Sequence, residues 1–307
     1  MQLDYNGNKG FRLLSIYEML NKGEVIFKST LSQSFNVSEK TIQRDIDDLR
    51  SYLADTHFSE SEVSIKYDKM QRGYYLVRLE REWFTNEEVL ATCKVLLESR
   101  AFCKEELDIL LTKLLTQVTP NDRKRVEDMI RSEQFCYVPV KHGKKILSKL
   151  WKLSQYITGN KIIRIIYHRM DGATREHDVK PVAIMFSEYY FYLICYMADG
   201  SKNFPTVFRI DRLDEFSGTG ERFDTPYKNK FSEGEFRKRV QFMYPGELRK
   251  ISFEYSGPSI EAVLDRLPTA EILSNRDGIY TISVEVYGNG IDMWLRSQGD
   301  YIKNERG

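Results

Sequence analysis

The chain has 307 residues, more than one typical hydrophobic core accommodates, which predicts two or three domains. Hydrophobic residues make up 41% and charged residues 30%, a balance that excludes disordered and fibrous classes. The formal net charge is +1, so the whole-chain charge favours neither nucleic acid nor a membrane surface as partner.

Cys93, Cys103, Cys136 and Cys195 form no Cys-x-x-Cys pair and no zinc-like spacing with the four histidines, so reduced thiols in a cytoplasmic protein are expected, with no metal and no cofactor. The N-terminus carries no basic-then-apolar signal pattern. The longest apolar run, Tyr189 to Ala198, is too short for a membrane span and reads as a buried strand.

Residues 9–21 carry a helical pattern with Phe11, Leu14, Ile16, Tyr17 and Leu20 apolar, ended by Asn21-Lys22-Gly23. Val25-Ile26-Phe27 is a short apolar run, followed by a brief helix from Ser29 to Phe35 with Leu31 inward. Asn36-Val37 turns tightly into the next helix, which Ser38 can cap by accepting a first-turn backbone N–H. From there Ile42, Ile46, Leu49 and Leu53 recur at i, i+4, i+7 and i+11, one face of a helix. Lys40 and Arg44 project from the opposite side, near the N-terminus, where a recognition helix carries the side chains it inserts into a DNA major groove. Helices separated by such a turn match a helix-turn-helix. Val63–Tyr67 and Tyr74–Val77 then read as paired strands, and the hairpin between them carries Lys69, Arg72 and Gly73. A hairpin in that place is the wing of a winged helix, and a basic tip suits the DNA backbone or minor groove. Residues 1–77 hold 10 Lys and Arg against 11 Asp and Glu, a net of −1, so any phosphate-binding surface must be a local patch.

Residues 85–136 are strongly helical. Thr85-Asn86-Glu87-Glu88 is a capping box and Thr119-Pro120-Asn121-Asp122 a second helix start, with a leucine stripe (Leu107, Leu110, Leu111, Leu114, Leu115) between them. This segment is a spacer or a dimerisation element. Another domain opens near Val138: an amphipathic helix from Lys144 to Ile157 (Ile146, Leu147, Leu150, Trp151, Leu153) precedes strands over Ile162–Tyr167, Glu176–Pro181, Val182–Phe186, Tyr189–Tyr196 and Thr206–Ile210. Short strands with frequent turns predict a small closed or half-closed barrel, with Tyr189–Tyr196 covered on both faces. After a charged helix over Phe231–Val240, the chain reads strand (Lys250–Tyr255), helix (Pro258–Leu267), strands (Ala270–Leu273, Tyr280–Tyr287) and helix (Ile291–Leu295), a small α+β module of ferredoxin-like kind.

The stretch from Ser38 to Leu49, followed by Arg72-Gly73-Tyr74-Tyr75-Leu76, resembles the winged helix-turn-helix of WYL-domain transcriptional regulators. Phe191-Tyr192-Leu193 stands where that family has Trp-Tyr-Leu, with Phe191 replacing the tryptophan, and Thr206 to Leu213 resembles its following Phe-Arg-hydrophobic-Asp-Arg motif. The C-terminal module is similar to the family's C-terminal extension. The resemblance implies a multidomain α+β chain: a winged helix-turn-helix (1–78), a helical linker (79–138), an Sm-like or SH3-like barrel (139–224) and a bridging helix with the extension domain (225–307). It further implies a homodimer whose barrel senses a nucleic-acid fragment or nucleotide and sets the affinity for double-stranded operator DNA, with a phage-defence or stress operon as a target.

Ser38, Lys40, Thr41, Gln43 and Arg44, with Lys69 and Arg72 on the wing, are the candidate DNA contacts: Arg reads guanine, Gln reads adenine, Thr and Lys hold phosphate. The competing arrangement pairs Arg44 with Asp47 or Asp48 along the helix. Those two acids would repel phosphate and confine groove entry to the first turns. Arg209 and Arg212 are the candidate ligand contacts, with Tyr192 as a wall and Tyr167 and His168 at the end of a neighbouring strand; an Arg fork suits phosphate and an aromatic face suits a base. Here the competing arrangement is an internal pair with Asp211. Strand alternation would also put Arg209 and Arg212 on opposite faces unless the strand ends or bulges near Asp211. No phosphate loop, His-Glu-x-x-His motif or catalytic triad is legible, so no enzymatic role is expected. The combined expectation is a ligand-responsive homodimeric repressor, with a ligand-dependent activator or a single-strand-binding protein as alternatives.

Overall fold

The structure, a computed structural model, describes residues 8–56, 63–78, 84–118, 120–224 and 231–306. The chain divides into two units, Met1–Glu98 with Leu107–Tyr137, and Ser99–Glu106 with Val138–Gly307.

The first part contains α1 (Lys9–Asn21), α2 (Lys28–Ser34), α3 (Glu39–Thr56), β1 (Val63–Asp68) and β2 (Gly73–Arg78). Their apolar faces meet in one core in which Ile16, Leu20, Leu31, Ile42, Ile46, Leu53 and Ile65 are buried. The stripe along α3 therefore faces inward as its period requires. On α1 the expected stripe is only half right: Phe11 and Leu14 are 47% and 71% exposed, and Arg12 takes the inward position between them because Asp45 of α3 meets it there. Asn36 adopts a left-handed φ of 50° at the turn between α2 and α3. The strands β1 and β2 pair antiparallel from Val63↔Arg78 to Asp68↔Gly73. Ile26 adds a bridge to Tyr74 through two backbone hydrogen bonds of 2.8 Å, so the Val25–Phe27 run serves as a third edge of the wing. Gly73 makes that approach possible, since a Cβ there would lie 2.4 Å from Val25 Cγ1.

Three helices follow, α4 (Asn86–Ser99), α5 (Lys104–Leu115) and α6 (Pro120–Phe135). The capping box at α4 is reciprocal: the Glu88 N–H donates to Thr85 Oγ1 at 3.2 Å and the Thr85 N–H donates to Glu88 Oε2 at 2.8 Å. Thr119 lies outside the described residues, and the helix it announces begins at Pro120.

The second part opens with α7 (Leu147–Thr158), whose N-terminus is capped from a distance: both carboxylate oxygens of buried Glu106 accept the Ile146 N–H at 3.0 Å, and Oε1 also accepts that of Leu147. Leu153 is buried on α7, whereas Trp151, expected on the same stripe, is 68% exposed. Then come β3 (Lys161–His168), β4 (Thr174–Ser187), β5 (Tyr190–Met197), β6 (Thr206–Arg209), a 3-10 turn (Ile210–Arg212) and β7 (Leu213–Arg222), in a five-stranded antiparallel sheet of order β6-β5-β4-β3-β7. One expectation is corrected here. The strands read as Glu176–Pro181 and Val182–Phe186 are one strand, β4, with a register shift between Pro181 and Ala183. Its first half pairs with β3 and its second half with β5; Pro181, which has no N–H, sits beyond the end of the β3 ladder, where none is needed. Gly218, Thr219 and Gly220 lie within β7, where Gly218 pairs with Ile163. Leu193, Ile194 and Cys195 of β5 are successive and all buried, so both faces of that strand are covered. Leu193 and Cys195 belong to the core with Leu153, Ile163 and Phe208; Ile194 belongs to a second cluster with Met185 and Phe236.

That second cluster brings in α8 (Glu233–Arg239). The remaining elements are β8 (Leu248–Tyr255), α9 (Ile260–Arg266), β9 (Glu271–Arg276), β10 (Ile279–Tyr287), α10 (Gly290–Ser297) and β11 (Ile302–Arg306), with an antiparallel sheet of order β11-β8-β10-β9. The closing strand β11 is an element that the sequence reading did not contain. Gly290, the first residue of α10, permits a close backbone approach: a Cβ there would lie 1.9 Å from the Gln241 carbonyl oxygen.

Candidate functional site

The predicted DNA-contact residues gather at the start of α3 and on the wing. Ser38 Oγ accepts the Thr41 N–H at 3.2 Å and lies 2.9 Å from the Thr41 hydroxyl, so these two side chains close the first helical turn. Lys40 and Arg44 are exposed and make no ion pair among the described residues. The acids around them are engaged elsewhere. Asp45 is buried against Arg12, Asp47 accepts from Arg50 at 3.1 Å, and Asp48 lies 2.6 Å from Lys9. The competing pairing of Arg44 with Asp47 or Asp48 is therefore not formed, and the negative charge past Arg44 is countered residue by residue.

Gln43 is placed differently from the basic pair. It is half-buried, its Oε1 accepts the Tyr74 hydroxyl at 2.7 Å and Lys28 Nζ at 3.2 Å, and its Nε2 donates to Asp47 at 3.1 Å. Arg50 extends the same network, donating to the Ile65 carbonyl at 3.0 Å with its guanidinium 5.4 Å from the Tyr74 ring centroid. Gln43 thus ties the recognition helix to the wing. Lys28, Arg50 and Tyr74 had no functional signal in the sequence, because each acts through a partner far away along the chain.

At the wing tip Lys69 and Arg72 are exposed, and Asp68 Oδ1 accepts the backbone N–H groups of Met70 at 2.7 Å and Gln71 at 3.1 Å. Arg72 adopts a left-handed φ of 56°. The tip is an ordered turn that presents both basic side chains to solvent.

In the second part, Tyr192 and Arg209 are cross-strand partners in β5 and β6. The Arg209 guanidinium makes a two-pronged pair with Asp211, Nε to Oδ1 at 3.0 Å and Nη2 to Oδ2 at 2.7 Å, and lies 3.3 Å from the centroid of the Tyr190 ring. Burial, the largest single influence, pushes this guanidinium's pKa down; the Asp211 hydrogen bonds and the charge of that carboxylate, with Tyr190 and Tyr192, together more than offset it and the net shift is upward. Burial pushes the Tyr192 hydroxyl up to about 12. Tyr190 and Tyr192 stand on the same strand face, two residues apart, with rings 6.5 Å apart and edge-on. The His142 ring is 6.3 Å from that of Tyr190, and burial lowers its pKa. Strand alternation could have flagged Tyr190; His142 could not be found from the sequence.

The chain leaves strand geometry at Arg209 and enters the 3-10 turn, which meets the backbone condition for Arg209 and Arg212 to serve one pocket. Arg212 is half-buried and makes no ion pair among the described residues. The other candidates stand apart. The Tyr167 ring packs edge-on against Phe208, with centroids 4.9 Å apart. His168 is held between Asp214 and the Thr174 hydroxyl, the latter at 2.7 Å. Both side chains are engaged in structure.

No curated protein is similar to the chain. The sequence matches the HTH domain over residues 12–63 and the WYL domain over residues 148–217. Among solved structures it is similar to proteasome accessory factor B/C (PafBC) of Arthrobacter aurescens, at 15% identity and a TM-score of 0.32 over 97% of this chain and 45% of that one. It is also similar to a CRISPR Cas-related protein, at 14% identity and a TM-score of 0.25 over 73% of this chain and 68% of that one. The chain thus spans less than half the length of the first of these structures. With an HTH domain followed by a WYL domain, the chain has the architecture of the WYL-domain transcriptional regulators.

Proposed function

We propose that the chain is a homodimeric DNA-binding repressor released by a nucleic-acid fragment or nucleotide bound to its WYL domain. The observation that carries the DNA side is the charge arrangement of α3. Asp45, Asp47 and Asp48 each have a cationic partner, while Lys40 and Arg44, one turn apart near the helix start, have none among the described residues. A helix so arranged presents its positive charge to a groove at its first turns. Lys69 and Arg72 add backbone contacts from the wing. Two copies follow from the specificity that a single half-site lacks.

On the ligand side, Tyr192 and the face of Tyr190 that Arg209 leaves uncovered would receive a base, and Arg209, already oriented by Asp211, has further N–H donors for a phosphate, with Arg212 following in the 3-10 turn. We read the five-stranded sheet as an Sm-like or SH3-like barrel, since β4 bends to pair with β3 and then β5 and a single 3-10 turn joins the edge strands β6 and β7. The β11-β8-β10-β9 order supports the ferredoxin-like reading of the last module. Ligand would act by favouring one dimer geometry, a population shift.

The test is a gel shift on DNA from upstream of the chain's own gene, at stated salt, with and without short oligonucleotides. The variant Lys40→Ala with Arg44→Ala should lose duplex binding while unfolding at the same urea concentration as the parent. Duplex binding that survives in this variant sinks the proposal. Arg209→Ala should keep duplex binding and lose only the response to oligonucleotide; if it abolished all nucleic-acid binding, the single-strand-binding alternative would stand instead.

A further inference from the structure

A cavity of about 500 Å³ lies where β5, the loop before β6, α8 and the strand β10 come together, on the same face of β5 as Tyr190 and Tyr192 but lined by neither of them nor by Arg209. Its wall is a run of aromatic rings. Tyr196 meets Phe231 at 6.5 Å between centroids, Phe231 meets Phe236 at 5.3 Å, and Phe236 meets Tyr287 at 5.2 Å. Phe204 completes it from the loop.

Among the described residues the charge of the lining has one sign: Glu235 and Glu247 line the cavity, and no Lys, Arg or His does. Glu235 is matched by Lys238 at 2.7 Å and Arg239 at 2.5 Å. Glu247 is exposed and its carboxylate has no partner among the described residues. A cation already sits over one ring of the group, with Lys202 Nζ 5.8 Å from the Phe204 centroid. Such a lining repels phosphates: their charge would meet an uncompensated carboxylate and the negative faces of the rings. The same features attract an organic cation, since ring faces and carboxylate act in the same direction on a positive charge. The volume falls in the range of small-molecule sites.

We infer that this cavity binds an aromatic amine carrying a positive charge, its ring against the Phe231–Tyr287 wall and its ammonium group toward Glu247. It is a second ligand site, of opposite charge preference to the Arg209 face, and it does not depend on that face binding a nucleotide.

The experiment uses one scaffold in three charge states: tryptamine, neutral 3-ethylindole and anionic indole-3-propionate, each titrated into the full chain by calorimetry. Tryptamine should bind about tenfold more tightly than indole-3-propionate, with 3-ethylindole between them. In Glu247→Gln most of that charge preference should vanish, while binding of 3-ethylindole and the urea midpoint stay unchanged; Glu247 is exposed, so folding is not at stake. Equal affinity for all three compounds overturns the inference, as does a charge preference that persists in Glu247→Gln. So does the absence of binding by any of the three up to millimolar concentration.

Discussion

Arg12 of α1 and Asp45 of α3 form a buried two-pronged ion pair, with Nε donating to Oδ2 at 2.5 Å and Nη2 donating to Oδ1 at 3.1 Å. The two side chains are 8% and 1% exposed. The hydrogen bond to Asp45 outweighs burial and raises the guanidinium's pKa further, so the cation is permanent. Replacing Asp45 with Ala leaves that cation buried and unmatched, which should cost about 3–5 kcal/mol. Urea denaturation of Asp45→Ala measures it, and Arg12→Met with Asp45→Leu should recover most of the loss. A cost below about 1 kcal/mol for Asp45→Ala would show that the pair does not organise the α1–α3 contact.

The Gln43–Tyr74 hydrogen bond makes recognition helix and wing one body. Tyr74→Phe keeps the ring and removes only the donor, so the stability change should be about 1 kcal/mol. The larger effect should fall on the wing: backbone amides of β1 and β2 should exchange faster than those of α3. Equal exchange in both elements would argue against a coupling role for this bond.

Gly73 faces side chains, not solvent. A Cβ there meets Val25 Cγ1 at 2.4 Å and Phe27 Cε1 at 3.0 Å, so Gly73→Ala must push the Val25–Phe27 run away from the hairpin. Overpacking of this kind costs about 1–3 kcal/mol. Gly220, with a φ of 91° and open space around it, is a useful contrast: Ala there should add only backbone strain, of about 1 kcal/mol. Thermal melts of the two variants should rank Gly73→Ala as the more damaging.

Two histidines of the second part set an acid limit. Burial lowers the pKa of both His142 and His177 from the ordinary 6.5. Around His142, Arg209 and Lys144 push in the same direction while Asp211 and Glu106 oppose them. The unfolded chain therefore binds these protons before the folded one as pH falls. Their contribution to stability is complete above 6.5 and is lost as pH drops below it toward the depressed folded values. Glu235, held at about 2 by Lys238 and then Arg239, acts only below the ordinary carboxylate value of 4.5, so the two windows separate. Urea midpoints should be level above pH 6.5 and fall as the pH drops below it, with a shallower fall in His177→Gln. A midpoint that stays level there would contradict this account.

The single-residue Arg209→Asp211 spacing shows where sequence reasoning reaches its limit. Sequence alone allowed either a ligand-facing arginine or an internal pair, and the structure contains the pair together with a ring stack on Tyr190 that no spacing announced.

By itself, the sequence determined the helix positions, the Ser38 and Thr85 caps, the inward stripe of α3, the wing hairpin and the order of the parts. Each of these depends on residues within a turn or two of one another, where periodicity and capping chemistry decide the outcome. Only the tertiary structure decided that Arg12 enters the core in place of Leu14, that Gln43 is held by Tyr74, that β4 continues through Pro181, and that Gly218 lies in a strand. Those outcomes depend on partners brought together from distant segments: a buried arginine is stable only where a carboxylate meets it, and a glycine joins a strand only where a neighbouring ladder supplies its hydrogen bonds.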